Sequence, residues 1–102
     1  MVPRARKIIW SIDALLTRKS LFEYWNHRNK STRYSKKLNL LFNDKLLQIA
    51  QYPEASIAVD YENVRMVLGS NYYLVYEVSS QYIKVFDIWD TRKNPINFPL
   101  KH

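Results

Sequence analysis

The apolar residues of this chain change from a helical to a twofold spacing at Pro53, and that change limits the folds open to it. Upstream the spacing is helical. Ile12, Leu15, Leu16, Phe22 and Trp25 fall near helical spacing, which predicts a helix running to about Arg28. Ser11 offers an oxygen to the free amides of its first turn, and Asp13 places a negative charge where the helix dipole favours it. The polar stretch Asn26 to Lys30 breaks the pattern. Ser31 or Thr32 can cap a second helix that carries Tyr34, Leu38, Leu41, Phe42 and Ile49 on one broad face. Pro53 ends it, because the residue before a proline is pushed away from helical angles.

Downstream the period falls to two. Asn63 to Leu68 reads as a strand, and Gly69-Ser70-Asn71 as a turn containing the only glycine of the chain. Tyr72 to Val78 alternates: Tyr72, Leu74, Tyr76 and Val78 share one face, Tyr73, Val75 and Glu77 the other. Ser79-Ser80-Gln81 turns again before a strand from Tyr82 to Trp89, and Asp90 to His102 is an irregular tail with Pro95 and Pro99. A short β-branched run, Arg6 to Trp10, reads as a strand ahead of the helices. The order is therefore β-α-α-β-β-β in one α+β domain, 1–102. A helix hairpin should pack on one face of a twisted, mainly antiparallel four-stranded sheet.

Charge bounds the partners. Sixteen Lys and Arg against nine Asp and Glu leave a net +7, a field that attracts polyanions or an acidic protein. With no cysteine, disulfide and thiolate chemistry are absent. His27 sits where the first helix should end and suits its dipole; His102 is terminal, and the two form no metal-ligand cluster. Asp87 and Asp90, three apart in a strand, point to opposite faces and do not make a metal pair. No cofactor is expected. The basic start is followed only by Ile8-Ile9-Trp10, too short an apolar run for a signal peptide or a membrane span, so a cytoplasmic protein is expected.

Several segments, in order, carry a family likeness. Lys7-Ile8-Ile9-Trp10-Ser11 gives an opening strand and helix cap. Tyr34-Ser35-Lys36-Lys37-Leu38 and Gln51-Tyr52-Pro53-Glu54 bound the second helix. Asn63-Val64-Arg65 and Asn71-Tyr72-Tyr73-Leu74-Val75-Tyr76-Glu77-Val78 form a central hairpin, and Ile88-Trp89-Asp90-Thr91-Arg92-Lys93-Asn94-Pro95 a closing strand and loop. In these segments the chain resembles the RelE/ParE superfamily of toxins from type II toxin–antitoxin systems. That resemblance implies a chromosomal or plasmid operon and a cognate antitoxin protein that neutralises the toxin. It also implies one of two targets. RelE-type members enter the ribosomal A site and cut mRNA without a metal; ParE-type members poison DNA gyrase without enzymatic chemistry. Ribosome-dependent mRNA cleavage is the favoured expectation. Gyrase poisoning is the alternative, and a decayed toxin kept as an antitoxin-binding module is the third possibility.

Cleavage through the 2′-hydroxyl needs a proton acceptor, a cation for the phosphorane and a proton donor for the leaving oxygen. The resemblance puts Arg92 where the family carries an arginine just beyond the last long strand. It is either a phosphate contact or a loop arginine paired with Asp90. Arg65 either flanks the same face or pairs across strands with an acidic neighbour. Tyr73, at a position where many members have arginine, stacks on a base, donates its hydroxyl or is simply packed. Phe98 stands where RelE-like members carry a catalytic tyrosine, and phenylalanine exchanges no proton. Lys93, Asn94, Lys36 and Lys37 are the RNA-binding candidates, the two helical lysines reading equally as a solvated basic face. Phe86, Ile88 and Trp89 are expected in the core, with Trp89 alternatively bracing the Arg92 loop.

Overall fold

The computed structural model describes residues 5–59 and 62–92. Its elements are β1 (Lys7–Trp10), α1 (Ile12–Asn29), α2 (Arg33–Gln51), β2 (Ile57–Ala58), β3 (Val64–Gly69), β4 (Tyr72–Val78) and β5 (Tyr82–Asp90). The α+β hairpin-on-sheet architecture is as expected, but the sheet has five strands rather than four, in the order β1-β5-β4-β3-β2. The additional strand β2 is two residues long, too short to show an alternation in sequence. It pairs antiparallel with β3, Ile57 opposite Met66. β3, β4 and β5 form the meander, and β1 joins the far side of β5 in parallel.

Local chemistry sets the helix ends. The Ser11 hydroxyl accepts from the Ala14 amide at 3.0 Å, so the expected cap is present. Lys30 takes a left-handed conformation (φ 52°), and its amide and that of Ser31 both donate to the Asn26 carbonyl, which closes α1 one residue beyond Arg28. For α2 the capping oxygen comes from Ser31, which accepts from the Arg33 amide, while Thr32 makes no side-chain cap bond. The Ser35 hydroxyl donates to Asn26 Oδ1 at 2.6 Å and ties the hairpin together.

The two helices contribute unequally. α2 drives Leu38, Phe42, Leu46 and Ile49 into the interior against Leu74, Tyr76, Ile83 and Val85 of the sheet. From α1 only Ala14 is fully buried, with Leu21, Phe22 and Trp25 packed at the margin. Ile12, Leu15 and Leu16, apolar residues that mark the helix in the sequence, are exposed. A second, smaller cluster of Val59, Met66 and Val75, with Val64 and Tyr73 against it, belongs to the other parity of the strands and so to the face away from the helices.

Strand β5 carries a bulge. Val75 is opposite Asp87 but Tyr76 is opposite Val85, so Phe86 is an extra residue. The insertion reverses which residues face the helices. Ile83 and Val85 point inward before it; Ile88 and Asp90 do so after it, while Asp87 and Trp89 turn to the other face.

Candidate functional site

Because the bulge turns Asp90 toward the helices, Asp90 meets Arg92 just past the end of β5. Arg92 donates from its backbone amide (2.9 Å) and Nε (3.1 Å) to Asp90 Oδ1 and from Nη2 to Oδ2 (3.2 Å). Nη2 also donates to the Tyr72 hydroxyl at 3.2 Å, and Trp25 Nε1 donates to the same oxygen at 2.7 Å. The guanidinium carbon lies 5.7 Å from the Trp25 ring centre and 5.8 Å from that of Tyr72, within cation–π range. Helix α1, strand β4 and the chain after β5 thus converge on one guanidinium.

Protonation depends on these contacts. Burial pushes the Tyr72 phenol up from its ordinary value, against the bond from Trp25 and the nearby Arg92 charge. It is therefore protonated at neutral pH and keeps an O–H to give. Its oxygen accepts two bonds, yet its own proton has no acceptor among the described residues. Burial also pushes the Asp87 carboxyl up, opposed by the bond it accepts from the Ile88 amide.

This corner opens into a cleft of about 610 Å³ between α1 and the end of β5. Thr17, Ser20, Leu21 and Tyr24 line it from α1 at the three-to-four spacing of one helix face. Ile88, Trp89 and Asp90 line it from β5, and Tyr72 and Arg92 close one end. Among the described residues Arg92 is the one cation of the lining, and Asp90 balances it.

The three residues expected to share a catalytic site are not brought together. Arg92 stands at the Gly69–Tyr72 end of the meander. Arg65 is paired with Tyr76, four residues along β4 and roughly 13 Å away at about 3.3 Å per residue. There its Nε donates to Ser56 Oγ (3.0 Å), and Nη2 donates to the carbonyls of Ser56 (2.7 Å) and Glu54 (3.2 Å). Rather than an acidic cross-strand neighbour, its partners are the loop after α2. The Tyr76 hydroxyl, bonded to Ser56 Oγ and donating to the Pro53 carbonyl at 3.0 Å, completes the knot. Arg65→Met should accordingly lower the stability of the fold by about 1–3 kcal/mol, because the part-buried hydroxyl and carbonyl of Ser56 lose a charged donor. A urea midpoint equal to wild type would show that the knot carries no stability.

Tyr73 lies on the other face of the sheet, against the Val59–Met66–Val75 cluster and opposite Leu68 and Trp89. Lys36 and Lys37 are exposed on α2. Lys36 lines a shallow groove between the helices with Leu15, Arg18, Lys19 and Phe22, away from the Arg92 cleft. Lys93, Asn94, Pro95, Phe98 and His102 lie outside the described residues. Among the described residues no three His, Cys, Asp or Glu side chains group as metal ligands, and no helix is long and apolar enough to cross a membrane. Trp25 and Tyr72, the residues that hold Arg92, read in sequence only as core aromatics. Their spacing carried no sign of a shared partner, since one is helical and the other lies on a strand far downstream.

No protein-family model matches the sequence, and no curated protein does. Among solved structures, the chain is similar to one described as the chromosomal ParDE TA system from P. aeruginosa. The TM-score is 0.68 at 10% sequence identity, and the match covers 84% of this chain and 96% of that one. The two chains therefore share a fold, a helix hairpin on a largely antiparallel sheet, which is the architecture expected from the sequence.

Proposed function

We propose that the chain is the toxin of a type II toxin–antitoxin pair and that it acts by gripping a protein target rather than by cutting RNA. Its likeness in fold to a chain of a ParDE system supports the first part. So does the helix hairpin, where Arg18, Lys19, Arg28, Lys30, Arg33, Lys36, Lys37 and Lys45 outnumber Asp13, Glu23 and Asp44. Ile12, Leu16, Leu40 and Leu47 are exposed on the same two helices. A basic surface studded with apolar side chains suits an acidic, amphipathic antitoxin segment.

The choice of mechanism is carried by one observation, the separation of Arg92, Arg65 and Tyr73 among two ends and two faces of the sheet. General acid–base and charge stabilisation at a single phosphate need groups within hydrogen-bond reach of the same atoms. Arg65 is committed to the loop after α2, away from Arg92, and Tyr73 lies on the opposite face of the sheet. A binding toxin needs no such convergence, and DNA gyrase is the target that the resemblance offers.

Expression of the chain alone in a bacterium should stop growth, and co-expression of the small neighbouring gene should restore it. Primer extension on ribosome-bound mRNA from the arrested cells should show no new cut sites, and supercoiling by purified gyrase should fall when the protein is added. Ribosome-dependent cuts with unaffected gyrase would restore the enzyme reading. A folded protein that leaves growth unchanged would overturn the toxin reading itself.

A further inference from the structure

We propose that the cleft between α1 and β5 is a peptide-binding site that takes an acidic side chain at the Tyr72–Arg92 corner and an adjacent apolar side chain against Leu21 and Ile88. The bearer is an extended segment of the antitoxin, so the inference rests on the reading of this chain as one half of a pair.

Among the described residues, the corner has donors without an acceptor, held in a fixed place. Tyr72 is 2% exposed and lines the cleft, and its hydroxyl proton has no acceptor among the described residues. Arg92 spends Nε and Nη2 on Asp90 and Tyr72, while no described residue accepts from Nη1. Nη2 holds the Tyr72 oxygen at 3.2 Å, so Nη1 of the same planar guanidinium and the Tyr72 O–H lie near enough for one carboxylate to accept from both without displacing Asp90. Both side chains are immobilised before any ligand arrives, Arg92 by Asp90 and two rings and Tyr72 by Trp25. Little ordering entropy is left to lose on binding.

The rest of the cleft selects a peptide over a nucleic acid. A nucleic-acid backbone presents a run of phosphates and is held by several cations. Among the described residues one cation lines the cleft, Asp90 balances it, and the remaining walls are apolar or bear the hydroxyls of Thr17, Ser20 and Tyr24. One carboxylate beside an apolar side chain, with peptide N–H and C=O groups for the hydroxyls, matches that lining. The chain's +7 net charge draws an acidic segment toward it.

The test uses overlapping fluorescein-labelled peptides that tile the protein of the neighbouring gene, titrated by anisotropy against the whole chain and against Arg92→Gln and Tyr72→Phe. Peptides that place Asp or Glu beside an apolar residue should bind. Each variant should weaken them about tenfold or more, as loss of a charge-assisted hydrogen bond does. Asp→Asn or Glu→Gln in the peptide should cost the same, and combining it with Arg92→Gln should add little. Arg92 is exposed at the end of β5, so Arg92→Gln remains informative if Tyr72→Phe disturbs the core. Full-length neighbour binding wild type and both variants equally would overturn the cleft assignment and leave the pair reading in place. No binding by the full-length neighbour would overturn both. Binding of labelled single-stranded poly(U), lost in Arg92→Gln, would make the cleft a nucleic-acid site instead.

Discussion

Replacing Phe42 by Ala should remove a large share of the stability of this fold. The side chain is fully buried, its ring centre is 6.3 Å from that of Phe22 and 6.2 Å from that of Tyr72, and it seals α2 onto the sheet. Gly69 lies directly beneath it: a Cβ there would come within 3.2 Å of the ring, so the lone glycine makes room for the phenylalanine. The surroundings cannot collapse into the space, since that side of the contact is strand backbone. A truncation of this kind costs about 3–5 kcal/mol, against about 5–15 kcal/mol for the whole of a small domain. In urea the midpoint should drop steeply with an unchanged slope. Leu16→Ala, on the exposed side of α1, should move it hardly at all. Similar midpoints for the two variants would show that α2 is not the element that closes the core.

The second large effect should fall on partner binding and leave the fold alone. Leu40 and Leu47 are 66% and 61% exposed and lie seven residues apart, on one side of α2. Neither supports the core, and Lys36 and Lys37 lie one turn before Leu40 on the same helix. If the antitoxin lies across this helix, the two leucines are its apolar anchors, and Leu40→Glu with Leu47→Glu adds repulsion to the lost burial. A pair of anchor losses of about 2 kcal/mol or more each amounts to a weakening of about a thousandfold. Calorimetric titration of the doubly substituted protein with the neighbouring gene's product measures it, with circular dichroism to verify the fold. An unchanged affinity would place the antitoxin on another surface.

The fold was legible in the sequence wherever a period ran long enough to be counted. The helical spacing up to Pro53 and the alternation of Tyr72–Val78 correspond to α1, α2 and β4 almost residue for residue. Ile57–Ala58 escaped because two residues hold no period. The parity reversal at Phe86 escaped because a bulge leaves no mark on composition, although it decides that Asp90 reaches Arg92. The site was legible only in its arginine. Chain order put Arg92 just past the last strand, and the alternative that it pairs with Asp90 is the arrangement found. Arg65 and Tyr73 are near neighbours in sequence of that hairpin, but pairing register and strand parity send them to another end and another face. Trp25 reaches the site from a helix far upstream, by a contact that only packing defines.

The parallel pairing of β1 with β5 has a consequence for how the molecule comes into being. β1 opens the described chain and β5 closes it, so the sheet cannot be finished, and α1 cannot face the end of β5, until almost all of that chain has left the ribosome. Pairings between such distant segments form late, because the intervening chain must first be gathered in at an entropic cost. The helix hairpin, built from local contacts, can form much earlier. On the proposed reading of the chain as one half of a toxin–antitoxin pair, an antitoxin made alongside would meet a docking surface on α1 and α2 before the Arg92 cleft exists, and neutralisation would begin on a chain still being synthesised.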